Sequence, residues 1–521
     1  MRRFKAGPIE RRIAVLGVML AVLGACGGTD TANPAATTEQ GGSTVTKPTG
    51  VLRAAPTTLV QTFDPAKVQN AQIYYLQPLY DTLLRLGNKN EIQAGIAEKW
   101  DYNGTVANLV LRDGVKFEDG TPITASVVKQ NIERFLKANG PQAVAMSTLT
   151  AAEAVDEKNV KLTFSSPSPT LLTELAMAPG MIMNPTAFAN ADLNTKPGGI
   201  SGPYRLDPST SASGDRYVYT VNSTYWDPSR QKTERIEIIP IPDEAARGNA
   251  LKSGQLDLAL LGFSQIAEFE QAGFKRSANP SSLYYSMIFD RGGKLQPALA
   301  NVKVRQAMSM AIDREAVING IFFGYGTPTP QPYLKGELGH SAALDKAMAY
   351  NPRRARELLT EAGYPNGFEF SVPTIPSVKT FAEALAGFWK AIGITANVEQ
   401  GAAGGMAEAG RSGRFPVFIS PSPVGDPSTI YRSFWAADAP YNRQFGVVDP
   451  KLDDLAAKGV ASVDAAARAP IYASMFELAV NDGFYIPVGR AELSAVGPAK
   501  VTNVVWHTGE FFPNPVGITV R

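Results

Sequence analysis

Leu111 to Pro122 read LRDGVKFEDGTP, and Thr124 to Leu136 follow as TASVVKQNIERFL. Val115 and Phe117 alternate with polar neighbours, and Asp113-Gly114 and Asp119-Gly120 are turn dipeptides at either end. This stretch therefore predicts a strand with turns at both ends. Thr124 stands where a helix cap belongs, and Val128, Ile132, Phe135 and Leu136 recur at the spacing that gathers them on one helical face.

The same succession of short β-type runs and helical segments continues through the chain from Val51, with no repeat of solenoid length. Asn301 to Gly320 predicts an amphipathic helix, with Val304, Met308, Ala311 and Ile312 on one side and Gly320 ending it. Asn351 to Gly363 predicts another: Asn351 at the N-cap, Pro352 at the first helical position, Leu358 and Leu359 buried, then Gly363 and Pro365 as stop signals. Mixed α and β is the fold class, and 521 residues exceed what one core organises, so two or three compact units are expected. Hydrophobic residues at 44% and charged residues at 19% are ordinary globular composition.

The first residues follow different physics. Arg2, Arg3, Lys5, Arg11 and Arg12 make a cationic segment, and an apolar run extends from Ile13 to Leu23. This is a secretory signal pattern, and the run falls short of the roughly 20 apolar residues a membrane span requires. Arg11-Arg12 also fits a twin-arginine export signal, so the export route stays open. Cys26, the only cysteine, cannot form an internal disulfide. The string Leu23-Gly24-Ala25-Cys26 resembles the lipobox of bacterial lipoproteins, which implies lipidation of Cys26 and a membrane attachment there. Residues 1–25 hold five basic residues and one acidic, so without them the net charge falls from +2 to −2. No basic block remains to meet phosphates, which excludes nucleic acid as a partner. Residues 26–50, rich in Gly, Thr, Ala and Pro, read as a flexible tether.

A series of short strings gives the chain a family likeness. Phe63-Asp64-Pro65, Tyr80 to Leu83 (YDTL), Ala97 to Trp100 (AEKW) and LRDGVKFEDGTPITA come first. Ser201 to Tyr204 (SGPY), Asn222 to Trp226 (NSTYW), Leu251 to Asp257 (LKSGQLD), Val304 to Arg314 (VRQAMSMAIDR), Leu358 to Gly367 (LLTEAGYPNG) and Ile392-Gly393-Ile394 follow in order. Together they resemble the family 5 extracellular solute-binding proteins, the peptide, dipeptide, oligopeptide and nickel type of ABC importer component. The resemblance implies an α/β, two-lobed periplasmic-binding-protein fold, class II-like, with an extra subdomain in the larger lobe. The larger lobe would span 51–285, with its inserted subdomain at about 81–200, and the smaller lobe 286–485; residues 486–521 would return to the larger. Hinges near Tyr285 to Asp290 and Tyr485 to Arg490 would let the lobes close on a ligand. A monomer working with an ABC permease and ATPase is the implied assembly.

The segment that would line the cleft is Phe418 to Trp435, FISPSPVGDPSTIYRSFW. Peptide-binding relatives place an aspartate three residues before the acidic-Pro pair to neutralise the ligand amine; here that position is Pro423. The candidate ligand residues are Ser422, Asp426, Tyr431 and Trp435 from this segment, Phe63 and Met146 from the other lobe, and Arg490 beside the second hinge. Each has a plainer alternative. Asp426 fits an N-cap, Tyr431 and Trp435 a core-facing stripe, Phe63 and Met146 packing, and Arg490 an exposed surface. His340 and His507 are the only histidines, so no metal site of normal ligand density is expected, and no cofactor is implied. The chain contains no G-x-S-x-G, H-E-x-x-H or phosphate-loop motif. A surface sensor or peptide chaperone on the same scaffold, and a hydrolase using paired carboxylates, are the rival classes.

Overall fold

The structure is a computed structural model that describes residues 47–401, 405–507 and 509–521. The leader, Cys26 and most of the tether lie outside the described residues.

Two long strands, Lys275–Ile288 and Tyr485–Gly497, pair antiparallel in the middle of a nine-stranded sheet. At one end Lys275 pairs with Gly497, and the second strand also takes Leu258–Leu261 through Ala259 and Val496. The sheet continues there through Val51–Ala55, Arg235–Ile238, Tyr217–Val221 and Tyr204–Leu206. At the other end Ser282 to Ile288 pairs with Pro423 to Val417, so the outermost strand there carries Pro421 and Pro423. Between the two ends the register breaks at Asn279/Ser282, across Pro280, which has no N–H to give the ladder.

The cores divide accordingly. One large cluster draws on Leu52 to Leu258 and again on Ala495 to Val520. A second draws on Leu283 to Ala491, and a small third, around Leu251, Ile266 and Phe269, backs the first end of the sheet. Within the first core lies a four-stranded antiparallel sheet in the order Ala97–Tyr102, Val106–Leu111, Asn159–Phe164, Leu149–Ala154, with helix Ala125–Ala138 packed on its last two strands.

Two local expectations need correction. The predicted strand around Val115 to Phe117 is only an isolated bridge, Lys116 to Pro122. The turns at Gly114 and Gly120, with φ of 73° and 87°, lie too close together to leave room for more. The alternation is nonetheless used, since Val115 and Phe117 are both buried. The single helix read from Asn301 to Gly320 is two, Val302–Met310 and Arg314–Ile321. Asp313 interrupts it by accepting from the Ala316 N–H as a new N-cap. Pro352–Glu361 forms with Asn351 capping Arg354 N–H, as its caps predict.

Buried charges explain why separated strings belong together. Asp81 accepts from Thr82 N–H at 2.9 Å, Arg85 Nη2 at 2.8 Å, Tyr225 hydroxyl at 2.8 Å and Trp226 Nε1 at 2.9 Å, and Arg230 stands 3.6 Å away. Its own N–H donates to Ser201 Oγ, so the YDTL, SGPY and NSTYW strings meet at one residue. Burial pushes that carboxyl up, but Arg85 and Arg230 outweigh it and hold it below its ordinary value. In the second core Arg305 donates to the carbonyls of Asp482, Leu299 and Ala300, and Arg314 to those of Pro487 and Met348 and to Ser309 Oγ. With no carboxylate beside it, burial draws the Arg314 guanidinium down to about 10.

Asp81→Ala should cost about 3–5 kcal/mol in urea denaturation, because it strands buried cations, whereas Asp454→Ala, which breaks an exposed pair with Lys458, should cost under about 1 kcal/mol. The lowered carboxyl sets the sign of the pH effect. The gap between wild type and Asp81→Ala should be full above about pH 4 and shrink as pH falls below it. Equal losses in the two variants would refute the reading of Asp81 as a hub.

Candidate functional site

The strand Val417–Pro423 delivers the chain to Asp426, where Pro427 starts a short helix. Asp426 Oδ1 accepts from Ser428 N–H at 3.0 Å and Ser428 Oγ at 2.6 Å; its Oδ2 accepts from Arg468 Nη2 at 2.5 Å. Arg468 is buried and also donates to Gly459 carbonyl and Tyr472 hydroxyl. Both Asp426 oxygens are therefore occupied by the protein itself. Pro427–Ile430 passes into a wider π turn, Tyr431–Trp435, closed by Ala436 N–H to Tyr431 carbonyl at 3.0 Å. Such turns interrupt regular helices and recur at functional sites. On it Tyr431 donates to Asp453 at 2.7 Å, Trp435 packs edge-on against Phe476, Phe484 and Tyr485, and Arg432 is exposed.

The remaining sequence candidates fall elsewhere. Phe63 is buried in the first core with Tyr217 edge-on at 5.8 Å, and Met146 is buried in the same core. Ser422 is half-buried opposite Leu283 on the first crossing strand. Arg490 lies where the crossing strands bulge: its guanidinium donates to Pro280 carbonyl at 2.6 Å, Pro332 carbonyl at 3.0 Å and Glu337 at 2.8 Å. Thus Ser422, Asp426, Tyr431 and Trp435 share one segment, while Phe63, Met146 and Arg490 are held apart from it. His340 lies beside Asp345 and His507 beside Glu510. Among the described residues no cluster of His, Cys, Asp or Glu is placed to hold a metal ion.

One residue escaped the sequence reading. Glu174 ends the helical turn Leu171–Glu174, pinned by the fully buried Leu171 and Leu175. Among the described residues its half-buried carboxyl has no hydrogen bond or ion pair; burial pushes it up to about 7, Arg432 opposes that rise and Asp426 adds to it. The cores approach where a methyl on Gly104 would lie 3.5 Å from Val463 Cγ1. The signal available in the sequence was that Glu174 is the only charged residue between Ser165 and Asn184.

Residues 91–442, more than half of the chain, match the family model for bacterial extracellular solute-binding proteins, family 5. A curated relative is the glutathione-binding protein GsiB of Escherichia coli O1:K1, 31% identical over 299 residues, covering 56% of this chain and 56% of that protein. The chain thus matches little more than half the length of that relative. Two solved structures superimpose over nearly the whole chain. DppA from Helicobacter pylori, a periplasmic binding protein in complex with the peptide STSA, has a TM-score of 0.75 at 22% identity and covers 90% of this chain and 98% of its own. NikA from Brucella suis, in complex with Fe(III)-EDTA, has a TM-score of 0.78 at 21% identity, with coverage of 91% and 100%. The two cores are the lobes of this periplasmic-binding-protein fold. By its motifs, its fold and the family match, the chain belongs to the bacterial extracellular solute-binding proteins of family 5.

Proposed function

We propose that this chain is the extracytoplasmic substrate-binding component of an ABC importer, capturing a small solute, peptide-like or another small organic molecule, between its lobes and presenting it to the permease. The observation that carries this reading is the pair of crossing strands: Lys275–Ile288 and Tyr485–Gly497 run from one core into the other and bulge at Pro280 on the way. Two strands with a local loss of ladder bonds bend more readily than either packed core deforms. A ligand touching both lobes then favours the closed state by whatever contacts the open state lacks.

The division into a larger lobe at 51–285 with return at 486–521, and a smaller lobe at 286–485, is supported by the make-up of the two large cores. Within this reading Ser422, Asp426, Tyr431 and Trp435 belong to the cleft segment of the smaller lobe, with Asp426 and Trp435 shaping it and Ser422 and Tyr431 nearer solvent. Phe63 and Met146 support the opposite wall. The protein acts as a monomer without turnover. GsiB is a binding protein, and the DppA and NikA structures hold a peptide and a metal chelate, which supports capture rather than catalysis. The string before Cys26 supports a lipid anchor that leaves the body outside the cytoplasm.

Mixed with glutathione, short peptides, opines and metal chelates, the protein should bind at least one compound one-to-one. Small-angle scattering should show a smaller radius of gyration on binding, and mass spectrometry should recover the compound unchanged. Chemical conversion of the bound compound would refute capture without turnover. Arg490→Ala should cost roughly 1.5–3 kcal/mol through lost hydrogen bonds to a charged donor. It should also broaden the distance distribution between spin labels placed at exposed Lys137 and Lys458, one on each lobe. An unchanged distribution would mean that the bulge is not the hinge.

A further inference from the structure

We infer that Tyr325 and Glu270 form an interlobe clasp on one flank of the crossing strands, made while the lobes are in contact and released when they part. This rests on the solute-binding reading and adds to it a device within the protein that sets how readily the empty lobes open.

The clasp follows from where two short strands meet the crossing pair. Leu258–Leu261 of the larger lobe and Gly326–Pro328 of the smaller both pair with Tyr485–Gly497. The first ends at Leu261 opposite Ser494, and the second starts at Gly326 opposite Ala491. On this flank the lobes are therefore separated by the interval of Glu492 and Leu493 alone. Rotation of one lobe on the other about the crossing strands changes the width of that interval.

Side chains bridge it from both sides. The Tyr325 hydroxyl donates to Glu270 Oε2 at 3.0 Å, and Phe263 meets Phe322 edge-on at 5.1 Å. Phe263 and Glu270 stand on the helix Phe263–Gln271 of the larger lobe, whereas Phe322 and Tyr325 stand in the turn that follows Arg314–Ile321 in the smaller. Phe263 packs against the second core and Tyr325 against the third, so each lobe lends an aromatic ring to the other. Arg276 donates to Glu270 Oε1 at 3.0 Å and lies 5.0 Å from the Tyr325 ring centroid, which positions both partners. It also pairs with Glu492, whose N–H donates to the Tyr325 carbonyl at 3.3 Å.

The turn holds Tyr325 in place at a conformational cost. Phe323 has a φ of 52° and Gly324 one of 82°, and Phe323 is exposed, so a bulky residue keeps a left-handed backbone with no burial in return. Gly324 N–H to Ile318 carbonyl at 3.0 Å and Tyr325 N–H to Phe322 carbonyl at 2.8 Å fix the turn on the end of its helix. Gly104 shows which state is held: a methyl there would lie 3.5 Å from Val463 Cγ1, so the lobes touch while the clasp is made. A hydrogen bond is lost once its atoms part beyond about 3.5 Å, so this one stabilises the touching arrangement and not a wider one.

Pulsed electron resonance on the ligand-free full chain, with spin labels at Lys137 and Lys458, tests the clasp. Tyr325→Phe keeps the ring over Arg276 and removes only the hydroxyl. It should raise the population of long distances about threefold to tenfold, the worth of one partly exposed hydrogen bond to a charged acceptor. Glu270→Ala, which leaves Arg276 paired with Glu492, should do the same, and the double variant should go no further than either alone. Glu268→Gln, on the same helix but paired with Lys252 inside the larger lobe, should match wild type. An unchanged distribution in both Tyr325→Phe and Glu270→Ala overturns the clasp; if glutathione or trialanine still shortens the distances in wild type, solute capture by closure stands. An equal shift in Glu268→Gln, or additive shifts in the double variant, also overturns it, because the helix would then merely be loosened. A single narrow wild-type distance that neither the substitutions nor any compound of the panel alters overturns both readings.

Discussion

Everything about this molecule follows from two antiparallel strands shared by two cores. A sheet that ran unbroken through both would weld them into one body, and separate sheets would leave nothing to keep their faces opposed. Here the ladder fixes the direction of both strands and is interrupted at Pro280. Arg490 stitches the interruption by donating to the carbonyl of the proline that causes it, and through Glu337 it ties the bulge to the smaller lobe. A guanidinium suits this task because its planar fork can satisfy several acceptors at once.

The segment around Asp426 is held by packing and by one buried ion pair. Aromatic packing around Trp435, Phe476 and Tyr485 and the Asp426–Arg468 pair make the smaller-lobe wall stiff.

The sequence was informative where local chemistry decides the outcome. Asn351 and Pro352 begin a helix and Gly363 follows its end because caps and φ preferences act over a few residues. The family strings were legible as strings, yet the reason for their company was not. Asp81, Ser201 and Tyr225 are far apart in the chain and meet only through tertiary structure. The helix read through Ala311 to Asp313 broke because a side-chain cap competed with the backbone there. Arg490 was read as an exposed or ligand-facing cation, and its burial depends on strands more than one hundred and fifty residues apart in sequence. Glu174 was overlooked since a lone charge in an apolar stretch looks like an ordinary surface position until its burial is known.

Two margins of the large sheet carry a further consequence. One margin is the strand Tyr204–Leu206, three residues long, and the other is Val417–Pro423, in which two of seven residues are prolines. A short strand offers little to pair with, and proline withholds the amide that an incoming chain would need. Copies of the chain are thereby discouraged from stacking edge to edge into fibrils, and these two margins expose little template for aggregation.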